Sequence, residues 1–503
     1  MGSEMCIRDR HYGDLFGGPF QGLLSATALV EELRRLPDAT IEQAERSHAL
    51  YDQFEQAMAP YKAALDIWVS RYFGNERAQE YLTLVGQDYV EEIRSGGKGL
   101  SPQYREVITK AADISREKRF FHWDLEFPEA FVDLERKTWK PKDKQGFDAV
   151  IGNPPYSVAL DSIEKTYWKQ RFNLSPQPLN LAGLFYVASL KQYSNNNTVG
   201  MIIPKSITFS RGWEPVVEAV LPSLSRVVDA SKAFEDVLLE QVVVVCGRGE
   251  ESSYTSGILT LNQVIKSSIH QKSSIAASKV LATGLDTIEV RIGEKLLGTG
   301  RLFGDVTETF RGLPWQRYLQ QDGREPLIAG RDLCRYGLRP DTRMIAVIPK
   351  DSLNKVQRLR QPKILSQNIV AHIENPLPHI RIIATLDTAS LLNLDTVNNT
   401  ISKDNIHWPL EVLLALLNSK LYSWYMYRFI YNQAIRTMHF DADYVGRLPL
   451  PGLTDAQRQQ AVALVRDACA YRSQSLTEEF ESVDAQLDQC CLLYTSDAAD
   501  ELD

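Results

Sequence analysis

Cysteine is scarce in this chain. Six occur in 503 residues, at Cys6, Cys246, Cys334, Cys469, Cys490 and Cys491, with no C-x-x-C pair. That spacing offers neither a zinc site nor a disulfide framework, so no metal is expected. Long apolar runs are also absent: none reaches the ~20 residues of a membrane span. No positively charged start followed by an apolar stretch reads as a signal peptide. The expectation is a cytoplasmic protein without a membrane partner. The chain has no basic excess either. Its formal net charge is −8, which argues against a uniformly basic nucleic-acid coat but not against a local basic surface. Between Arg301 and Lys363, thirteen Lys or Arg stand against seven Asp or Glu, a local balance of +6. Between Gly22 and Arg119 there is no Gly-rich turn of the strand-to-helix kind.

What is present reads as an ordinary globular composition, 44% hydrophobic and 24% charged. The length suggests roughly two to four domains. Residues 11–119 have helical spacing, as in Ala28, Leu29, Leu33 and Leu36 and in Ala49, Leu50, Phe54 and Met58, with Pro60 and Gly74 as punctuation. From Phe120 the pattern changes. Short apolar runs at 147–151, 199–203, 226–229 and 241–245 predict strands, and the intervening Leu181–Tyr193 and Trp213–Leu221 predict helices. Alternation of this kind implies a mostly parallel, doubly wound sheet over residues 120–250. The Ser-rich stretch 251–300 reads as a linker. A mixed α+β region at 301–480 includes one helix over Leu413–Ile430, with an aromatic Trp424 and Tyr425 stripe read as core, and another over Ala456–Tyr471.

The strongest chemical signal is Asp148-Ala-Val-Ile-Gly-Asn153-Pro154-Pro155-Tyr156, read as a buried apolar strand stopped by two prolines. Such a loop can orient an exocyclic amine. The Asn153 side-chain carbonyl and the Pro154 backbone carbonyl can each accept one N–H bond, and this aims the nitrogen lone pair at an incoming methyl. The gain is mainly positional, up to about 7–11 kcal/mol in well-aligned cases. Tyr156 offers a stacking face for an extruded base, worth about 1–3 kcal/mol.

In its longer context the loop resembles that of the N6-adenine DNA methyltransferases of the gamma arrangement, especially type IIG restriction-modification and phage-exclusion enzymes. The resemblance is carried by Phe121-His-Trp-Asp124-Leu-Glu-Phe-Pro-Glu-Ala-Phe131, then Gly146-Phe147-Asp148, then Asn153 to Tyr156. It implies a partial Rossmann-like methyltransferase sheet, an N-terminal helical region and a C-terminal α+β target-recognition domain. It also implies S-adenosylmethionine as cofactor and double-stranded DNA as partner, with other subunits of a defence system possible. On this resemblance Asn153, Pro154, Pro155 and Tyr156 are catalytic, and Asp124 and Phe185 (in Asn180-Leu-Ala-Gly-Leu-Phe185) hold the cofactor adenine. Phe234 and Tyr156 sandwich the flipped base. Gly200-Met-Ile-Ile-Pro204 resembles the family's sixth-motif strand and is read as structural. The family's glycine-containing first cofactor motif is not seen ahead of the loop. The two ends, residues 1–10 and 490–503, resemble translated sequencing-adapter sequence, so an N-terminally truncated gene fragment that methylates poorly or not at all on its own is expected.

The segments Phe310-Arg311-Gly312, Pro326–Tyr336 (with Arg331 and Arg335) and Pro362-Lys363-Ile364 resemble the family's target-recognition domain, in which Arg reads guanine and Lys or Arg neutralises phosphate. For any single arginine a solvated charged face is the better account. His439 is read as structural. Two alternatives stay open beside adenine methylation of DNA: methylation of RNA or of protein glutamine by the same tetrapeptide, and a DNA-binding specificity fragment without catalysis.

Overall fold

The computed structural model describes residues 28–33, 35–37, 39–85, 102–133, 136, 138–156, 160–172, 180–194, 198–234, 239–249, 251–260, 263–273, 275, 279–318, 325–339, 344–346, 353–370, 372–435 and 438–493. The two termini and the Ser95–Gly99 turn of the sequence reading lie largely or wholly outside these. The chain is mixed α/β and divides into two compact units: Met1–Met201 with Glu218–Ser223 and Val245–Gly249, and Ile202–Val217 with Leu224–Val244 and Glu250–Asp503. Among the described residues no helix is long and apolar enough to cross a membrane.

The first unit opens with helices α1 (Ile41–Ser70), α2 (Ala78–Val85) and α3 (Pro102–Lys118). Thr40 starts α1 through a capping box with Gln43. Pro60 does not end the helix as expected, for α1 runs through it. Met58, Tyr61, Ala64 and Leu65 on either side are buried, and burying four such side chains outweighs the ~3 kcal/mol cost of an interior proline. Gly74 does punctuate: at φ +90° it takes the left-handed conformation that a side chain disfavours. Further along come β1 (Val150–Gly152), α4 (Ser162–Phe172), α5 (Leu181–Ala188) and β2 (Val199–Pro204). β1 and β2 pair in parallel, Val150 with Val199 and Gly152 with Met201; β1 is not the buried strand expected, because among the described residues it pairs on one side only and Ile151 is 85% exposed.

β2 ends in the second unit, where the strand order is β2-β4-β3-β5-β6, with β3 (Leu224–Ser231), β4 (Gln241–Cys246), β5 (Ser253–Thr260) and β6 (Gln263–Gln271). β3 and β5 are parallel, while β5 and β6 form an antiparallel hairpin. The stretch expected to be a linker is thus largely sheet, followed by helix α6 (Thr287–Leu297). Two of its serines misled because they face inward. Ser256 and Ser268 are paired across the hairpin, 3.1 Å apart, and both reach Nε2 of buried His270 at 2.8 and 3.0 Å. Satisfied hydroxyls can be buried at little cost.

A second sheet follows, antiparallel in the order β9-β8-β10-β7, built from β7 (Thr307–Arg311), β8 (Lys363–Gln367), β9 (Ala384–Asp387) and β10 (Val397–Ser402). The apolar helix expected over Leu413–Ile430 is broken. It forms α7 (Leu410–Asn418), α8 (Lys420–Tyr425) and a wider turn at Met426–Ile430. Ser419 breaks it in extended geometry, its hydroxyl accepting from the Tyr422 amide at 3.1 Å as the cap of α8. These helices form the core of the second unit with α9 (Asp455–Ser473) and α10 (Thr477–Leu493). α10 runs past the point where the foreign tail was expected to begin, and Cys491 on it is fully buried.

Candidate active site

The residues that carried the resemblance are joined physically in the first unit. Phe147, just ahead of β1, receives the edges of Trp123, Phe127 and Phe131, with ring centroids 5.9, 5.4 and 5.9 Å away. Edge-to-face rings at these separations add to simple burial. Asp124 sits in the helical turn Trp123–Glu126, half-buried. Flanking residues anchor that turn to α1. His122 meets Asp66 at 2.7 Å, and Glu126 meets Lys62 at 2.6 Å. Burial alone pulls Lys62 down, but hydrogen bonds to Glu126 and Glu55 outweigh it and leave its pKa raised.

β1 delivers the loop. The Val150 amide donates to the Thr198 carbonyl at 3.0 Å, and the ladder ends at Gly152 because Pro154 and Pro155 have no N–H to continue it. Asn153 and Pro155 are exposed, Pro154 is buried and Tyr156 is half-buried. Partial burial raises the Tyr156 pKa, so its ring stays neutral. Beyond the loop, Asp161 and Glu164 cap each other reciprocally at 2.8 and 3.0 Å, and Lys118 at the end of α3 contacts both, at 2.9 and 3.0 Å. The sequence reading missed this brace, although the D-x-x-E pattern is a capping-box signal.

On α5, Asn180 caps the helix by accepting from the Ala182 amide at 2.9 Å. Tyr186 donates to the Val199 carbonyl at 3.1 Å and so fixes α5 on β2. Leu184 and Tyr186 are fully buried, whereas Phe185 between them is 42% exposed. Phe234 lies in the second unit, on the turn after β3, and is 40% exposed. Neither aromatic is spent on the core.

In the region expected to read DNA, two of the cations are committed elsewhere. Lys363 is completely buried, with Nζ 2.5 Å from Asp387 and 3.1 Å from the Leu391 carbonyl. Burial lowers its pKa against the opposing pull of Asp387. Arg335 is buried and donates to Asp484 on α10 at 2.5 Å and to the Asn418 carbonyl ending α7 at 2.6 Å. Both are corrections: these residues clamp the fold and cannot meet phosphate or base. Arg331 is exposed. Arg311 is half-exposed, held by Asp441 at 3.2 Å, by His439 Nδ1 at 3.1 Å and by buried Asn368. His439 thus orients an arginine, in line with a structural role.

The Eco57I restriction-modification methylase family model matches residues 49–221, and the TaqI-like C-terminal specificity domain model matches 325–450. RM.MjaORFECS2P of Methanocaldococcus jannaschii, assigned to the type II restriction enzymes and methyltransferases, is 35% identical over 86 residues, 17% of this chain and 6% of that protein. Among solved structures, the type IIL restriction-modification enzyme MmeI in complex with DNA aligns at 12% identity and a TM-score of 0.46, covering 78% of this chain and 61% of MmeI. The type IIG restriction endonuclease BpuSI aligns at 10% identity and a TM-score of 0.29, covering 98% of this chain and 79% of BpuSI. Scores this low carry no structural argument. The chain spans less than two thirds of both RM.MjaORFECS2P and MmeI. With an Eco57I-type restriction-modification methylase segment followed by a TaqI-like specificity segment, the chain fits a type IIG-like methyltransferase.

Proposed function

We propose that the chain is the catalytic and specificity part of a DNA methyltransferase that transfers a methyl group to adenine N6 of a base turned out of the duplex, within a restriction-modification system. One observation carries the reading: Asn153 stands exposed just past the end of a parallel strand, behind a buried Pro154 and beside a half-buried Tyr156. Ligands of open α/β sheets bind at that end of the strands. A Rossmann-like sheet is supported by the two parallel pairings, β1 with β2 and β3 with β5. The order β2-β4-β3, in which a later strand lies between earlier ones, also fits.

In this reading the Asn153 carbonyl and the Pro154 carbonyl each accept a hydrogen bond from the N6 amine, and Tyr156 offers a face for the base to stack on; Phe234, taken by itself in the second unit, is a further exposed aromatic suited to stacking. S-adenosylmethionine supplies the electrophilic methyl. Asp124 and Phe185 suit its adenine end: one is a half-buried carboxylate, the other an aromatic left exposed in an otherwise buried helix segment. Arg311 and Arg331 remain candidates for contact with double-stranded DNA. A cytoplasmic setting goes with the reading. RNA or glutamine as the methyl acceptor is disfavoured by the specificity segment over 325–450.

The test is Asn153→Ala in the longest natural reading frame that contains the chain. Methyl transfer to DNA should fall by at least about a hundredfold, several kcal/mol of lost positioning, while DNA affinity stays within about twofold. An unchanged transfer rate rules out the role given to Asn153.

A further inference from the structure

We propose that Gln241, with the Lys205–Asp229–Glu240 cluster, is the positioning device for Phe234; the inference rests on Phe234 being the aromatic that stacks on the extruded base. A partly exposed ring on a turn contributes little to stacking unless its backbone is already fixed, because ordering it on binding costs conformational entropy. The described residues before Phe234 and from Leu239 onward are held by side-chain hydrogen bonds.

Gln241 opens β4 and is completely buried. It is followed by Val242 to Val245, the side chains such a strand calls for. A buried carboxamide is costly unless both its ends are bonded. Here both are, and both to the Phe234 turn: Oε1 accepts from the Ala233 amide at 2.9 Å, and Nε2 donates to the Leu239 carbonyl. One side chain therefore ties the residue before Phe234 to the far side of the turn.

The ion pairs hold the same segment from outside. Buried Lys205 places Nζ 2.7 Å from Asp229 and 3.1 Å from Glu240, and its amide donates to the Glu240 carbonyl at 2.8 Å. The second oxygen of Asp229 accepts from the Ser231 amide at 2.8 Å, where the chain leaves β3 in the left-handed region at φ +51°. Unsupported, a serine at that φ is disfavoured. Entry at Asp229–Ser231, flank at Ala233 and exit at Leu239–Glu240 are each held. The second oxygen of Glu240 accepts from the Ile435 amide at 2.9 Å, and Lys205 also donates to the Gln433 carbonyl at 3.3 Å. Both partners lie inside the TaqI-like specificity segment. The brace thus joins the base-stacking turn to the part of the chain that faces sequence recognition.

The experiment uses the full chain with duplex DNA in which 2-aminopurine replaces a fraction of the adenines, its fluorescence reporting extrusion and stacking. Hydrogen exchange at the Ala233 amide is followed in parallel. Phe234→Ala should alter the fluorescence change produced by the wild-type chain. Gln241→Met, which keeps the length but cannot bond, should speed Ala233 exchange about tenfold, one hydrogen bond's worth, with the rest of β4 unchanged. It should shift the fluorescence to the Phe234→Ala level while DNA affinity stays within about twofold. Gln241→Glu, which keeps an acceptor for Ala233, should recover part of the wild-type signal. Should Gln241→Met not fold, Asp229→Asn is read in the same way at the Ser231 amide. Unchanged Ala233 exchange, or wild-type fluorescence in Gln241→Met, overturns the brace. Faster exchange with a fluorescence response that ignores Phe234→Ala shows instead that the stacking assignment is wrong, and the positioning role falls with it.

Discussion

At the residue scale, the cations separate into those that hold the fold and those left to meet a ligand, and burial is what divides them. Lys363 and Asp387 are both completely buried. Removing one partner leaves the other charged and unpaired, so Lys363→Met should destabilise the chain by about 3–5 kcal/mol. Arg331→Ala, on the surface, should stay within about 0.5 kcal/mol. Thermal or denaturant unfolding of the two variants side by side checks this; equal stabilities would mean that Lys363 is not the clamp described. His270 gives a pH signature. Burial pushes its pKa down from 6.5 to about 4, so it is neutral in the folded chain while an unfolded chain takes up a proton near 6.5. The stability it contributes is therefore fully present above pH 6.5 and is lost as pH falls from about 6.5 toward 4. The loss is up to roughly 3 kcal/mol. A His270→Gln variant should flatten the unfolding midpoint across that window relative to wild type. A parallel decline in both chains would assign the acid sensitivity elsewhere.

At the scale of elements, the sequence was readable where one rule dominated. Two prolines without N–H ended β1 at Gly152, and apolar runs bounded by turn residues marked β2 and β4 within a residue or two. It was unreadable where a distant partner decided. The Ser256–Ser268–His270 network turned a polar stretch into paired strands, and only the partner strand reveals that. The serine that divides Leu413–Ile430 lies in a continuous helical period, and its break depends on one local hydrogen bond. Arg335 and Lys363 had the right residue type for DNA, but the Asp484 and Asp387 that claim them are remote in sequence or on another strand. Gln241 was passed over because a glutamine in an apolar run carries no motif. Glycine in Phe310-Arg311-Gly312 has a backbone reason: a Cβ there would collide with the Leu394 carbonyl and the Asn393 side chain and lie 2.7 Å from the Asn393 carbonyl. Gly312→Ala should therefore cost about 1–3 kcal/mol through the forced shift. It should weaken DNA binding more than it lowers cofactor affinity, as paired titrations would show. A variant as stable as wild type would mean that this approach of backbones is not required.

At the scale of the whole molecule, the chain carries an Eco57I-type methylase segment over 49–221 and a TaqI-like specificity segment over 325–450. Among the described residues ahead of β1, the strands are the two-residue pair Val132–Asp133 and Thr138–Trp139, antiparallel to each other. On the proposed reading, Asp124 and Phe185 address the adenine end of the cofactor, and losing the one charge-assisted hydrogen bond that Asp124 would accept costs about 1.5–3 kcal/mol. Calorimetric titration with S-adenosylmethionine should therefore show at least about tenfold weaker binding for Asp124→Ala than for wild type. Equal affinities would remove the role given to Asp124.

The chemistry itself is tested most directly by naming the product. DNA from a methylation-deficient bacterial host expressing the longest natural reading frame that contains this chain is digested to nucleosides and analysed by mass spectrometry. The predicted result is N6-methyladenine in the wild-type culture and none above background with Asn153→Ala. A methylated cytosine instead, or N6-methyladenine that persists in the Asn153→Ala culture, would contradict it.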